Sequence, residues 1–334
     1  MSGVTLYDVA REAGVSHTTV SWALRGDPRI RAATRERVQE AATRLGYVPN
    51  AIARSLASGR TAIIALVSPA FSAAYESELL RGIEEEMTAS HPDYELVQYS
   101  TAGNPERAQS IWDRLLRGNR ADAAICLCDP PPLAVRKAYA RAGRPLVLFD
   151  ERIEDTSCVR GDGRLGTRLA ARRLLEGGCR RPAIVTSVSS QEERPRCDPD
   201  RLGVFRELCA QAGLDAGHLV VERFRFEAGL ALAEAVARVG WDGIFCAAGD
   251  LVAAGLLAGL GTLGVGVPQD VRVVGYDDQL VASLASPPLT TVAQPLSRMG
   301  RAAVELCFSL LEASAPKSPR HLRFEPSLVV RRSA

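Results

Sequence analysis

The chain has 334 residues, of which 46% are hydrophobic and 24% charged, and its formal net charge is +2. This length allows a small head and about two further domains of roughly 100 to 200 residues each. No run of about 18 apolar residues could span a membrane, and no apolar signal region stands at the N-terminus, so we predict a cytoplasmic protein. The eight cysteines include no C-x-x-C pair, which favours reduced core thiols over disulfides or a metal site.

The N-terminal residues predict two short helices joined by a sharp turn. Four apolar residues recur at helical spacing and form one stripe: Leu6, Val9, Ala10 and Ala13. Gly14 tolerates the positive φ of a tight turn, and Ser16 is a favoured N-cap for the second helix. That helix would turn Val20, Ala23 and Leu24 inward and leave four side chains outside: His17, Thr18, Ser21 and Trp22. This is the helix-turn-helix pattern, whose second helix enters the major groove of DNA.

A third helix is predicted after the break Gly26-Asp27-Pro28. Its apolar stripe is Ala33, Val38, Ala41, Ala42 and Leu45, and Gly46 ends it. Residues 1–60 carry nine Arg and five acidic residues, a net charge of +4, whereas the other 32 basic and 34 acidic residues give −2. A basic module on a near-neutral body is typical of a DNA-binding head, because neutralising phosphates releases counterions. A small three-helix domain with ordinary solvated arginines is the alternative interpretation.

Apolar strand-like runs alternate with amphipathic helical stretches along the rest of the chain. The predicted strands are Ile63–Val67, Glu95–Tyr99, Ala123–Cys128, Pro145–Phe149, Ala183–Thr186, Leu219–Glu222, Gly243–Ala247 and Val271–Gly275. The predicted helices include Ser77–Ala89, Pro105–Arg117, Leu165–Glu176, Asp200–Ala212, Phe226–Val239 and Leu251–Leu263. This alternation predicts an α/β body of doubly wound parallel sheets in two lobes.

Charged side chains follow several of these strands where a parallel sheet binds its ligands, outside the carboxyl ends of the strands. Asp150, Asp250, Asp277 and Asp278 each follow a predicted strand, and Arg201 opens a predicted helix. Carboxylate and guanidinium groups that converge on a cleft suit a small polyhydroxylated ligand, because each can bond two adjacent hydroxyls. Helix capping is an alternative role for Asp250 and Asp278, whereas Asp277 and Arg201 are better ligand candidates because a buried charge needs a partner.

Several motifs closely resemble those of the lactose-repressor (LacI/GalR) family. The family pattern Thr-x-x-Asp-Val-Ala-x-x-Ala-Gly-Val-Ser-x-x-Thr-Val-Ser matches from Thr5 to Ser21, and Leu-Gly-Tyr-x-Pro-Asn-x-x-Ala-Arg-x-Leu matches from Leu45 to Leu56. Val-Val-Gly-Tyr-Asp-Asp from Val273 and Pro-Leu-Thr-Thr-Val-x-Gln-Pro from Pro288 match as well, and Met-Gly-x-Ala-Ala from Met299 follows. The resemblance covers essentially the whole chain.

The resemblance implies a DNA-binding head at residues 1–48 and a hinge helix and linker at residues 49–60. His17 and Thr18 would contact base edges, with Ser16, Thr19 and Ser21 near phosphates, and the interface would further include Thr5, Leu6 and Trp22. In the hinge, Asn50 would cap the helix, Ala53 would allow close approach of two copies, and Leu56 would wedge into the minor groove. The family often has Arg at position 22 and favours Ser at position 31, where this chain has Trp22 and Arg31, so the operator sequence stays open.

The resemblance also implies a periplasmic-binding-protein-like body at residues 61–334. Lobe 1 would comprise about 61–160 and 292–321, and lobe 2 about 161–291 and 322–332. Effector contacts would come from Asp150, Arg201, Gly249, Asp277 and Gln294, with Phe71 and Tyr75 as walls; Asp250 completes the candidate set. The family commonly has Asn where Gly249 stands and Arg-x-x-Gly-Phe where this chain has Arg201-Leu-Gly-Val-Phe205. The effector could therefore be larger than a monosaccharide or different in kind.

We therefore predict a sequence-specific DNA-binding regulator, most often a repressor, that is controlled by a small molecule, most simply a sugar. It would be a homodimer on a pseudo-palindromic operator and would need no cofactor or metal. Whether the effector induces or acts as a corepressor stays open, as does a nucleoside or purine effector. A sugar-binding transport protein is the alternative from another class. An enzyme is disfavoured, because no histidine stands near a nucleophile in a recognisable motif.

Overall fold

The computed structural model describes residues 4–24, 26–47, 59–69, 74–127, 130–150, 152–187, 200–222, 224–312 and 318–334. The chain separates into two compact units, Met1–Ala62 and Ile63–Ala334. Within the described residues, no helix is long and apolar enough to cross a membrane.

The first unit is a three-helix head. Its helices are α1 (Leu6–Ala13), α2 (His17–Leu24) and α3 (Ala32–Leu45). The apolar stripes predicted from the sequence meet in one core that includes Val9, Val20 and Val38. Gly14 ends α1 with a φ of 62°, a left-handed conformation that glycine adopts without strain. The predicted helix-turn-helix is therefore present, with α3 packed against both of its helices.

The second unit contains two six-stranded sheets. The strands are β1 (Ile63–Ser68), β2 (Glu95–Ser100), β3 (Ala123–Leu127), β4 (Leu146–Phe149), β5 (Ser157–Gly161), β6 (Pro182–Ser187), β7 (Gly217–Val221), β8 (Gly243–Cys246), β9 (Arg272–Tyr276), β10 (Thr290–Ala293), β11 (His321–Phe324) and β12 (Ser327–Val329). The first sheet has the order β11-β5-β4-β3-β1-β2 and the second β12-β10-β9-β8-β6-β7. All neighbouring pairs are parallel except β10 and β12.

Helices cover both faces of each sheet, as a doubly wound fold requires. They are α4 (Ala74–Ser90), α5 (Pro105–Arg117), α6 (Leu133–Arg141), α7 (Gly163–Glu176), α8 (Asp200–Gln211), α9 (Phe226–Val239), α10 (Asp250–Thr262), α11 (Leu280–Leu284) and α12 (Leu296–Leu311). In lobe 1, α4 and α12 share one core with the sheet, and α5 and α6 share the other. In lobe 2, α9 and α10 lie on one side and α7 and α8 on the other.

The chain crosses between the lobes three times, between β5 and α7, between β10 and α12, and between β11 and β12. The family resemblance implies crossings near residues 160, 290 and 322. The third lies later, because residues 321–324 form β11, which pairs with β5 of the first sheet. Residues 322–324 thus belong to lobe 1 and not, as expected, to lobe 2.

The first and third crossings are tied to one another through Asp162. Its backbone N–H donates to the carbonyl of Phe324 at 2.8 Å, and its carboxylate lies 3.5 Å from the guanidinium of Arg323. The same carboxylate also caps α7 by accepting from the N–H of Leu165 at 3.0 Å. The crossings are therefore ordered parts of the fold and can position side chains.

Candidate DNA-reading face and candidate ligand site

The N-terminus of α2 is capped as the sequence predicts. The N–H of Thr19 donates to Ser16 Oγ at 3.1 Å, and the hydroxyls of the two residues lie 2.8 Å apart. This cap fixes the first turn, where His17 and Thr18 are exposed. The N-terminal end of a recognition helix is the part that reaches base edges. Ser16 and Thr19 thus have a structural role in addition to the phosphate contacts predicted for them.

An exposed tyrosine extends this face. The ring of Tyr7 in α1 is 65% exposed, and its centroid lies 5.2 Å from that of His17. Sequence reasoning did not select Tyr7, although its position opposite the apolar stripe of α1 placed it outside the core. A large aromatic ring exposed beside a recognition helix is a further candidate for contact with DNA.

Trp22 supports an arginine from the loop that follows α2. The guanidinium carbon of Arg29 lies 4.5 Å from the centroid of the Trp22 ring. Asp27 holds the same guanidinium through two hydrogen bonds, 3.0 Å from Nε and 2.7 Å from Nη2. The bond to Asp27 raises the pKa of Arg29, so the group stays charged. The Trp22 indole cannot make the hydrogen bonds of the arginine that the family often has at position 22. The guanidinium of Arg29 nevertheless lies over the Trp22 ring, so this part of the head carries a cation.

Two predicted contact residues have clear roles within the head. The N–H and the hydroxyl of Thr5 donate to the carboxylate of Asp8 at 2.9 and 2.6 Å, which closes the N-terminus of α1 and lowers the pKa of Asp8. Leu6 packs against the core of the head.

The remaining predicted positions of the head and hinge have less defined surroundings. Ser21 is half-buried, and Arg31 precedes α3 without a side-chain cap. The hinge residues Asn50, Ala53 and Leu56 lie outside the described residues.

The second unit brings three of the predicted effector contacts together. Asp277, which follows β9, accepts a hydrogen bond from Gln294 Nε2 at 2.8 Å. The guanidinium of Arg201 is buried, and its carbon lies 4.0 Å from the ring centroid of Tyr276. Burial raises the pKa of Asp277 to about 6, while Gln294 and Arg201 oppose that rise. The result is a polar set in which Arg201 and Gln294 are buried and Asp277 is half-buried. It lies at the carboxyl ends of the strands, where ligands of such sheets bind.

Further predicted contacts flank this set. Asp150 follows β4, is half-buried and has a φ of 64°, and its negative charge adds to the rise in the pKa of Asp277. Gly249 precedes α10 with a φ of 99°, which L side chains rarely adopt. Tyr75 belongs to α4, but its side chain, like the whole of Phe71, lies outside the described residues.

Asp250 and Asp278 are engaged in contacts within the fold, although these contacts are not the helix caps expected as their alternative role. Asp250 is fully buried, and its carboxyl accepts from the N–H of Gln279 at 2.7 Å and from the hydroxyl of Thr291 at 2.6 Å. Burial raises its pKa to about 8. Asp278 accepts from Arg331 Nη2 at 2.7 Å. Asp250 therefore joins the start of α10 to β10 and to the loop after β9.

Two further residues shape the site, and sequence reasoning did not identify either. Gln279 follows Asp277 in the loop after β9, and its side chain opposes the rise in the pKa of Asp277. Gly161, at the end of β5, leaves the space that Gln294 Oε1 fills, so a Cβ at position 161 would overlap that oxygen. Gln279 could have been selected from the sequence, because it is a polar residue only two positions after Asp277. No feature of the sequence pointed to Gly161.

None of the described residues forms a group of three or more His, Cys, Asp or Glu side chains that could hold a metal ion. The charges and amides of the polar set around Asp277 are suited to holding a ligand by hydrogen bonds.

The chain matches known proteins along its whole length. Residues 5–50 match the model of bacterial regulatory proteins of the lacI family, and residues 171–334 match a periplasmic binding protein-like domain. The chain is 33% identical over 345 residues to the HTH-type transcriptional regulator CelR of Thermobifida fusca, and 30% identical over 338 residues to the HTH-type transcriptional repressor PurR of Photobacterium profundum. Each alignment covers 98% of both chains.

A solved structure described as a complex of the transcriptional regulator CelR with cellobiose is similar in fold. It superposes with a TM-score of 0.71 at 29% identity and covers 99% of this chain and 100% of its own. The helix-turn-helix head and the two parallel-sheet lobes fit the two family models, and the alignments with the relatives cover nearly the whole chain. The chain therefore belongs to the lacI family of bacterial regulatory proteins.

Proposed function

We propose that this chain is a transcriptional repressor that binds a pseudo-palindromic operator as a homodimer and responds to a small polyhydroxylated ligand, most simply a saccharide. The proposal rests on one observation above all: the polar set of Arg201, Asp277 and Gln294 belongs to the same chain as a capped, exposed recognition helix. A sensor and a DNA reader in one chain are the two parts that ligand-controlled repression requires.

The DNA-binding half of the proposal is supported by the charge and exposure of the head. His17 and Thr18 stand on the first turn of α2, which is open to solvent, and Arg29 presents a cation beside that helix. Phosphate contacts would position the head and base contacts would specify the operator. The relatives include a regulator and a repressor by name, and a transport protein would have no use for such a head.

The ligand half is supported by the chemistry around Asp277. Its carboxylate accepts from the neutral amide of Gln294 and is faced by the buried guanidinium of Arg201. Such a site favours neutral ligands with several hydroxyls over anions, because Asp277 and Asp150 would repel a negative charge. The solved relative named as a cellobiose complex binds a disaccharide, which is consistent with this class of ligand.

The dimer is supported by apolar side chains that lobe 2 leaves uncovered. Leu280 and Leu284 of the short helix α11 are 76% and 73% exposed, and Phe226 and Leu230 of α9 are 37% and 43% exposed. Helix α10 lies next to both of these helices. Burial against a second copy would remove this surface from water. Ligand binding would then change the angle between the lobes and with it the separation of the two heads.

Selection of operators from a random duplex library, followed by gel shifts at several salt concentrations, tests the DNA half. We expect one enriched pseudo-palindrome, weaker binding by Thr18→Ala, and unchanged binding by the matched control Thr262→Ala on α10. Failure of the wild type to enrich any sequence at low ionic strength would refute DNA recognition.

A thermal-shift screen of saccharides, polyols and nucleosides, followed by calorimetry and gel shifts with each hit, tests the ligand half. We expect Asp277→Asn to lose the response while the exposed control Asp215→Asn keeps it. A ligand that weakens operator binding would be an inducer, and one that strengthens it a corepressor. Nucleosides as the sole hits would replace the saccharide class in this proposal.

A further inference from the structure

Two side-chain amides lie beside the same carboxylate. Gln294 Nε2 donates to Asp277 Oδ1 at 2.8 Å. A Cβ built at Gly249 would lie 3.7 Å from Asp277 Oδ2 and 4.0 Å from Gln279 Nε2, which places the second amide in the surroundings of the other carboxylate oxygen, and the Gln279 side chain opposes the rise in the pKa of Asp277. A carboxylate only accepts, so Gln294 turns its NH₂ group toward Asp277 and its oxygen away from Oδ1.

The amide oxygens of Gln294 and Gln279 are both buried and have no hydrogen-bond partner among the described residues. Gln294 is only 7% exposed, so water has little access to its amide. A buried acceptor without a donor is unfavourable, and native proteins leave few of them. Two such oxygens on amides beside one carboxylate indicate a place where a ligand supplies the donors.

The position of Gln279 is set by the backbone around it. Its own N–H donates to the buried carboxyl of Asp250 at 2.7 Å, which holds the loop after β9 in place. The nearby Gly249 contributes no side chain, and its φ of 99° disfavours any replacement. A Cβ there would lie 3.7 Å from Asp277 Oδ2 and 4.0 Å from Gln279 Nε2. Gln279 is thus the residue that presents an amide to this part of the site.

We infer that Gln279 is a ligand-specificity residue, and that its Oε1 and Gln294 Oε1 accept hydrogen bonds from two donor groups of the ligand. This rests on the proposed function. The ligand class is a neutral molecule with at least two O–H groups at this end, such as a saccharide or a polyol. A ligand with a carboxylate or phosphate at this end would meet two acceptor oxygens and Asp277.

The test compares wild type with Gln279→Met, which keeps the length of the side chain and removes its polar atoms. The matched control is Gln269→Met, a change at an exposed residue of the same lobe. Calorimetry with each neutral saccharide and polyol that raises the melting temperature of the wild type gives the affinities. We expect Gln279→Met to bind the best of them at least about tenfold more weakly, since a buried acceptor bond is lost, and Gln269→Met to bind as the wild type does.

Deoxy analogues of the same ligand separate a contact from a merely structural role. The wild type should lose affinity for one deoxy analogue, whereas Gln279→Met should bind that analogue and the parent ligand nearly equally. Gln279→Ala repeats the comparison should the methionine variant fold poorly. Parent and analogue affinities that fall in parallel, or an unchanged affinity of Gln279→Met, would overturn the inference and leave the proposed function standing. A wild type that binds none of the compounds would refute both.

Discussion

Replacing Asp250 by Asn should make the stability of the protein less sensitive to pH. The carboxyl of Asp250 is fully buried, and burial raises its pKa from 3.8 to about 8. The neighbouring charges of Asp277 and Asp278 add to that rise. Asn can keep both hydrogen bonds, since its oxygen can accept from the N–H of Gln279 and its NH₂ can donate to the hydroxyl of Thr291.

The sign and the magnitude follow from proton linkage. Because folding raises this pKa, the folded state holds the proton more tightly than the unfolded state does. Asp250 therefore does not lower the free energy of unfolding below pH 3.8, which is its pKa in the unfolded state. Its effect lowers the free energy of unfolding as the pH rises from there and reaches a constant value above about pH 8, its pKa in the folded state. Each pH unit in that window corresponds to about 1.4 kcal/mol, so the wild type should lose about 4 kcal/mol through Asp250 between about pH 5 and about pH 8.

Urea unfolding followed by circular dichroism, at one protein concentration and several pH values, measures this loss. Asp277 contributes its own pH dependence to both proteins, so the difference between the two curves isolates Asp250 and its coupling to Asp277. Asp250→Asn should be progressively more stable than the wild type as the pH rises, whereas the exposed control Asp215→Asn should follow the wild type. Parallel curves for Asp250→Asn and the wild type would refute a neutral, buried Asp250.

Three further perturbations address other contacts. Ser16→Ala should destabilise the head by about 1 kcal/mol in thermal melts, because the N–H of Thr19 loses its cap; a melt as stable as that of the Ser283→Ala control would count against the cap. Arg29→Ala should reduce the slope of the logarithm of the DNA-binding constant against the logarithm of salt concentration by about 0.9, the value for one lost phosphate contact. The control Arg238→Ala should leave that slope unchanged. Equal slopes for the two variants would show that Arg29 does not contact a phosphate. Gly161→Ala should weaken ligand binding with little loss in melting temperature, since its Cβ displaces the Gln294 amide. The matched change Gly203→Ala meets open space, so equal ligand affinities in the two variants would show that Gln294 does not need its present position.

Most regular elements could be predicted from the sequence because their apolar periodicity is strong. The helices Pro105–Arg117 and Phe226–Val239 are observed with the predicted bounds, and the eight predicted strands are observed with ends that differ by up to two residues. The Cys128 end of the third strand lies outside the described residues.

Four strands of the described residues were not predicted, and all are short: Ser157–Gly161, Thr290–Ala293, His321–Phe324 and Ser327–Val329. Polar side chains occur in each, so none is a continuous apolar run. They are strands because neighbouring strands supply their backbone partners, and long-range pairing of this kind leaves little trace in local sequence. The error at the third crossing has the same origin, since only pairing with β5 assigns His321–Phe324 to lobe 1.

The candidate site could be predicted in part. The rule that ligands bind at the carboxyl ends of parallel strands selected Asp277 and Arg201, and the family resemblance added Gln294. The rule alone selects Asp277 and Asp250 equally, because both follow strands. The possible capping role made Asp250 the weaker ligand candidate, but its actual partners, the N–H of Gln279 and the hydroxyl of Thr291, could not be predicted from spacing. Gln279 and Gly161 depend on side-chain direction and on available space, which spacing in the sequence does not encode. The stacking of Arg29 on Trp22 joins a helix to a loop seven residues on and was equally out of reach.

Gln294 lies on a segment that connects the lobes, and its amide rests against Gly161 at the end of another such segment. Anyone who re-engineers this protein as a biosensor will therefore face a trade-off at position 294. Under the proposed function, a substitution that broadens the range of accepted ligands will also alter the balance between the two lobe arrangements, and hence the activity of the controlled promoter before ligand is added. Libraries aimed at new ligands should vary Gln279 first, because it lies in the loop after β9, outside the three connecting segments.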